Sequence, residues 1–206
     1  MVETFIQKFH IKNKVIKIKT IEVEVRGPVL LMHNPKSMLE PQTKGTKSAT
    51  EKYDYNSEAE KSAYKTKKGE LYIPAQAMFS STLNGASFKK VGKYSAKSII
   101  AGNMRIEPEE ILILDEKGKV MRKYEIDLRT VVIAQGKKRN RIVRARAMVK
   151  NWTAKFKIIY NDQFIGDSAI IEDCLKDAGS RIGLLEYRPQ TSGSYGTFEI
   201  AKFRVV

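Results

Sequence analysis

The chain has 206 residues, with 38 Lys and Arg against 23 Asp and Glu and a formal net charge of +15. That length suits one globular domain with its own core, and the charge favours a polyanionic partner, nucleic acid ahead of an anionic membrane surface. A single cysteine, Cys174, excludes an internal disulfide and a cysteine-rich zinc site and points to a reducing, cytoplasmic compartment. Residues 1–30 lack the apolar run of a signal peptide and no later stretch is long enough to span a bilayer, so the expectation is a soluble protein with no membrane partner.

In chain order, residues 15–26 predict a strand. Ile16 and Ile18 fall on one phase and Ile21, Val23 and Val25 on the other, which calls for a bulge or turn near Thr20, and Gly27-Pro28 ends or bends it. Residues 34–69 carry Lys, Ser, Thr, Glu and isolated tyrosines but almost no aliphatic side chains. They predict an inserted, flexible, lysine-rich arm that contributes little core, and its Tyr53, Tyr55 and Tyr64 suit either stacking on a strand of nucleic acid or a solvated loop. Leu71-Tyr72-Ile73 returns to apolar character, and Pro74 opens a short helix through Ala75, Ala77, Met78 and Leu83 that stops at Asn84-Gly85.

Residues 111–114, a turn at 115–118 and a strand through Tyr124, Ile126 and Leu128 predict a β-hairpin, followed by another pair of strands. In the later strand Val143, Ala145, Ala147 and Val149 alternate with Arg144, Arg146 and Lys150, and Trp152, Ala154, Phe156, Ile158 and Tyr160 continue the period of two. Residues 168–178 form an amphipathic helix with Ile170, Ile171, Cys174 and Leu175 inward, Asp167 or Ser168 as cap and Gly179 as stop. Cys174 is thereby a small core residue. A last strand at 197–206 carries Phe198, Ile200, Phe203 and Val205.

Two stretches stand out as functional. Between Gln135 and Met148 lie Lys137, Lys138, Arg139, Arg141, Arg144 and Arg146 with no acidic residue. A basic loop running into arginines at period two suits successive phosphates; the competing reading is an edge strand guarded by charge against aggregation. The second is the glycine-rich stretch from Gly179 through Arg181, Gly183, Arg188-Pro189, Gly193, Tyr195 and Gly196. Its glycines permit close approach to a phosphate, although a helix stop and a turn need some of them for local reasons. The Lys-Ser/Thr ending of a nucleoside-triphosphate loop is missing.

Tyr72-Ile73-Pro74-Ala75 opening the first helix, the basic hairpin from Arg139 to Arg146, and Gly183 followed by Arg188-Pro189 and Gly193-Ser-Tyr-Gly196-Thr-Phe198 entering the last strand resemble the RRM-like domain of the RAMP superfamily, whose members build CRISPR RNA-guided effector complexes. With Trp152 on the strand before the second helix, the arrangement also resembles that of phage and mobile-element proteins. The resemblance implies an α+β domain with an antiparallel, RRM-like or ferredoxin-like sheet and two packed helices. It further implies a non-catalytic subunit of a prokaryotic or virus-infected cell that grips single-stranded RNA or DNA, self-associates along it or joins RAMP-type partners, and uses the arm as a thumb.

The expected binding residues are Lys137, Lys138, Arg139, Arg141, Arg144, Arg146, Arg181, Arg188, Gly193, Tyr195 and Gly196. The central strands lack the usual aromatic signature, so recognition by backbone shape with slight sequence preference is expected. Two other classes compete. One is an interaction protein that imitates such a subunit. The other is a metal-independent ribonuclease using His10 or His33 as proton-transfer group. The paired acids Glu109-Glu110 and Asp115-Glu116 read as solvated charge, so neither metal nor cofactor is expected, and no Gly-x-Ser-x-Gly nucleophile motif occurs.

Overall fold

The computed structural model describes residues 17–34, 54–135 and 138–206, and for 132–135, 138–140 and 142 the backbone alone. Strand β1 (Ile18–Leu31) is followed by helix α1 (Tyr55–Ser62), β2 (Tyr72–Pro74), α2 (Ala75–Gly85) and a small hairpin of β3 (Lys90–Val91) and β4 (Tyr94–Ser95). Helix α3 (Ala96–Asn103), β5 (Met104–Glu107), β6 (Glu110–Leu114), β7 (Glu125–Gln135) and β8 (Lys138–Asn161) come next. The chain closes with α4 (Asp162–Ile165), α5 (Ser168–Asp177) and β9 (Glu199–Val205).

The main sheet runs β2-β6-β8-β1-β9, with β5 and β7 also pairing on β8, and the described pairings are antiparallel. Its centre, β6-β8-β1-β9 with α2 and α5 in the two crossovers, is a ferredoxin-like α+β arrangement. From Ala145 onward the apolar positions of β8 are buried as the sequence predicts, whereas Val143, expected on the same core face, is exposed on the part of β8 that extends past β1. Trp152, Ala154, Phe156, Ile158 and Tyr160 are buried in one core with Ile21, Val23 and Val25 of β1, Met78 of α2, Ile100 of α3 and Ile171, Cys174 and Leu175 of α5. Each Val, Leu, Ile, Phe or Met side chain among them contributes about 1.5–3 kcal/mol on removal from water.

Four local expectations are corrected. The register of β1 on β8 is unbroken from Ile18↔Asn161 to Gly27↔Trp152 and resumes unchanged at Val29↔Lys150. No bulge forms near Thr20, because Ile18 stays on the outer face, 55% exposed. Pro28 does not end the strand; opposite it Asn151 takes φ +48°, and β1 continues to Leu31.

The hairpin expected over 111–128 closes only locally. The Asp115 carboxylate accepts from the Lys117 and Lys119 N–H groups and Leu114 bridges Val120. Ile126 and Leu128 belong instead to β7, which pairs with β8 from Glu125↔Met148 to Gln135↔Lys138. A two-residue link between those strands makes that the shorter hairpin closure.

Within the expected arm, residues 54–69 are built into the body; 35–53 lie outside the described residues. Asp54 caps α1 by accepting from the Asn56 and Ser57 N–H groups, and Ala59, Ser62 and Ala63 are buried. Small side chains let α1 sit against β8 beyond the end of β1, where it replaces a neighbouring strand. The Ala145 N–H donates to the Glu58 carboxylate and the Ala147 N–H to the Ser62 hydroxyl, both at 2.8 Å. Edge amides that would otherwise be buried without partners are thereby satisfied.

Helix α3 and the β3–β4 pair, absent from the sequence reading, bury few side chains (Ala96 and Ile100 in α3), which leaves a weak periodic signal.

Candidate nucleic-acid interface

Beyond the end of β1, the outer parts of β7 and β8 pair only with each other among the described residues, forming a two-stranded ribbon. Lys137 lies outside the described residues, and Lys138 and Arg139 are placed by backbone alone, paired with Gln135 and Ala134. The backbone of Lys138 and Arg139 is at the ribbon tip, with Arg141 exposed behind it.

The ribbon root differs in charge from the tip. Arg144 donates to Glu58 of α1 at 2.8 Å and Arg146 to Glu186 of the glycine-rich loop at 2.6 Å. The arginine comb is therefore split, with Arg144 and Arg146 spending their charge inside the molecule.

Arg129, on β7, ties the ribbon to the loop. It forks onto Asp127 (Nη2 to Oδ1 2.8 Å), and its guanidinium lies 4.4 Å from the Tyr187 ring centre and 4.9 Å from that of Tyr195. The two rings meet edge to face at 5.4 Å. The bond to Asp127, aided by Tyr195, holds Arg129 well above the usual guanidinium range, so this cation–π clamp keeps its charge. Tyr195 thus already has a stacking partner.

The glycine-rich loop is shaped by close chain crossings. A Cβ on Gly193 would lie 1.9 Å from the Tyr187 carbonyl oxygen, and one on Gly196, at φ +71°, 2.1 Å from that of Leu184. Three non-glycine residues, Leu185, Tyr187 and Ser192, also take left-handed φ, a local strain that the surrounding contacts must hold. Those contacts include Arg188 Nη1 to the Leu185 carbonyl at 2.6 Å and the Gly196 N–H to that of Val29 at 2.8 Å. Arg181 stands apart, against Asp177 at 3.4 Å and 4.8 Å from the Phe88 ring centre.

Glu186 also accepts from His33 Nδ1 at 2.9 Å. The His33 bond, with Arg146 adding to it, drives the Glu186 carboxyl down to about 2. It is ionised at neutral pH and can only accept, so Nδ1 of His33 carries the hydrogen of this bond. The Tyr64 hydroxyl donates to the His33 carbonyl at 2.9 Å, and burial pushes that phenol up to about 12. His33 and Tyr64 line a cleft of about 270 Å³ between α2 and the loop. His10 lies outside the described residues.

On the face of the central sheet opposite the helices, Glu22, Glu24 and Arg26 of β1 pair with Arg204, Lys155 and Glu199. Among the described residues this surface is a ladder of ion pairs without an aromatic platform. Among the described residues no group of His, Cys, Asp and Glu is arranged to hold a metal ion, and no helix is long and apolar enough to cross a membrane.

The sequence reading missed Glu58, Asp127, Arg129, Glu186 and Tyr187. Glu186 and Tyr187 lie inside the glycine-rich stretch, whose spacing was their only signal; Glu58 had none. No family model matches the chain, and no curated protein matches it in sequence.

Proposed function

We propose that the protein binds single-stranded nucleic acid, RNA ahead of DNA, and holds it without catalysing a reaction on it. The observation that carries this reading is the split of charge along the ribbon. The acids that neutralise it, Glu58 and Glu186, are at the root, while the backbone of Lys138 and Arg139 lies at the tip beside Arg141 and the sequence from Lys137 to Arg141 holds no acidic residue. A narrow cationic ribbon on a +15 chain suits phosphates spaced along a flexible strand. The self-neutralised sheet face argues for backbone contact over stacking there. The resemblance to the RAMP superfamily favours RNA, self-association along the strand and a prokaryotic cytoplasm.

The test is a salt titration of binding to matched single-stranded RNA, single-stranded DNA and duplex DNA, with particle size followed by light scattering. A single-strand preference is expected, with log K falling by about 0.7 per phosphate contact for each unit of log salt. Replacing Lys137, Lys138, Arg139 and Arg141 by Ala is expected to flatten that slope. An unchanged slope overturns the ribbon as the main contact.

A second reading, a subunit that docks onto a protein, has its own observation. Ile126, Leu128 and Val143 are 38%, 54% and 42% exposed on the ribbon, beside a β7 edge with no second strand partner among the described residues. Apolar side chains next to open backbone groups suit strand addition. Weak, salt-insensitive binding to all three nucleic acids together with tight protein binding would favour it.

A further inference from the structure

We propose that two copies of this chain pair through the open edge of β7, antiparallel about a two-fold axis at Leu128. The inference names the occupant of the edge described above and stands whether or not the ribbon tip binds nucleic acid.

The neighbours of β8 fix which way the backbone of β7 faces. Ala147 directs its N–H to the Ser62 hydroxyl and its carbonyl to the Met32 N–H, and Ala145 directs its N–H to the Glu58 carboxylate. These groups point away from β7, so Leu128↔Ala145 and Ile126↔Ala147 are the non-hydrogen-bonded pairs of the β7–β8 ladder. The N–H and C=O groups of Ile126, Leu128 and, two residues on, Thr130 therefore face the open edge. Among the described residues they meet no second strand.

This edge is straight and undefended. Its register on β8 runs without a shift, residues 125–131 hold no proline, and Ile126, Leu128 and Thr130 are exposed. An apolar edge without bulge or proline is a template for another strand. The repulsion between two chains of +15 is offset locally, because Glu125 and Asp127 outnumber Arg129 over the segment.

Self-complementarity selects both the occupant and the register. With the axis at Leu128, that residue meets the partner's Leu128, Ile126 meets the partner's Thr130 and Asp127 meets the partner's Arg129. Outward-facing residues then oppose one another, and each such pair exchanges both N–H···O bonds. An axis at Asp127 or at Arg129 sets two like charges opposite each other, and one at Ile126 sets Glu125 against the partner's Asp127. Like charges so placed are destabilising. A two-fold contact of this kind closes on itself, in contrast to head-to-tail growth along a strand of nucleic acid.

The test is sedimentation equilibrium of the full chain, freed of nucleic acid, across a concentration series. The mass is expected to rise from that of one chain to twice that value and no further. Leu128→Pro is expected to hold it at one chain. The Leu128 N–H faces outward, so proline there removes no bond of the β7–β8 ladder.

A cross-link checks the register without that substitution. At the axis the two Leu128 Cα atoms lie about 5.5 Å apart, within disulfide reach, whereas Thr130 lies ~14 Å along the strand from the partner's Thr130. Leu128→Cys is therefore expected to become a covalent dimer on mild air oxidation and Thr130→Cys to stay monomeric. Cys174 is buried and forms no link in either.

A mass that stays at one chain overturns the proposal and leaves the edge to a different protein. A mass that climbs past two chains, a dimer that survives Leu128→Pro, or a Thr130→Cys link as strong as that of Leu128→Cys overturns it as well. None of these outcomes touches the salt titration of the tip, so the two readings fail separately.

Discussion

Glu186 joins three parts of the chain through one carboxylate, accepting from His33 after β1 and from Arg146 on β8 while its own backbone bridges Leu31. Its folded pKa of about 2 lies below its ordinary 4.5, so its contribution to stability is fully present above about pH 4.5. That contribution is lost as pH falls through about 2. The Glu186→Gln variant is therefore expected to be less stable at pH 7 and to lose less between pH 5 and 2 than the wild type. Urea midpoints at those pH values check it, and equal acid sensitivity of the two proteins would contradict the assignment. At Gly193 a Cβ has no room beside the Tyr187 carbonyl, so Gly193→Ala is expected to cost about 2 kcal/mol or more, read from urea unfolding.

Among the elements, β8 does the most. Its 24 residues exceed the usual strand length several-fold, and it spends them twice, as the central strand of the sheet and as one half of the ribbon. The transition falls where β1 ends opposite Met148 and α1 takes over the edge. Removing the cap with Glu58→Ala leaves the Ala145 N–H and the Arg144 guanidinium without their partner, at a cost of about 1–3 kcal/mol. Amide exchange at Ala145 and Ala147 is expected to accelerate before that of Phe156 or Ile158. Uniform acceleration along β8 would mean that α1 does not act as a separate cap.

For the whole molecule, the net charge of +15 describes a potential reserve of cations, and tertiary pairing decides which remain available. Tip and root of the ribbon should therefore separate in experiment. Arg139→Ala with Arg141→Ala is expected to flatten the salt dependence of RNA binding with little change in stability. Arg144→Ala with Arg146→Ala is expected to lower stability, since Glu58 and Glu186 each lose a cation. Chemical unfolding and salt titration on the same two variants give the comparison, and the reverse pattern would place the binding surface at the root.

The sequence by itself determined the sheet core and its two main helices. The period-two run at Trp152, Ala154, Phe156, Ile158 and Tyr160 and the helical period at Ile171, Cys174 and Leu175 are local signals of burial on one side. It also located both candidate regions, because a run of cations and a cluster of glycines are visible in composition alone. What it did not contain was the fate of those cations. The partners of Arg144 and Arg146 come from 86 and 40 residues away, and nothing in the local alternation distinguishes a paired arginine from a free one. The same holds for α1, whose polar surface reads as a solvated arm until its Glu58 and Ser62 meet the edge of β8. Periodicity records which side of an element is buried, whereas ion pairs and edge caps depend on which elements meet, and only the tertiary structure fixes that.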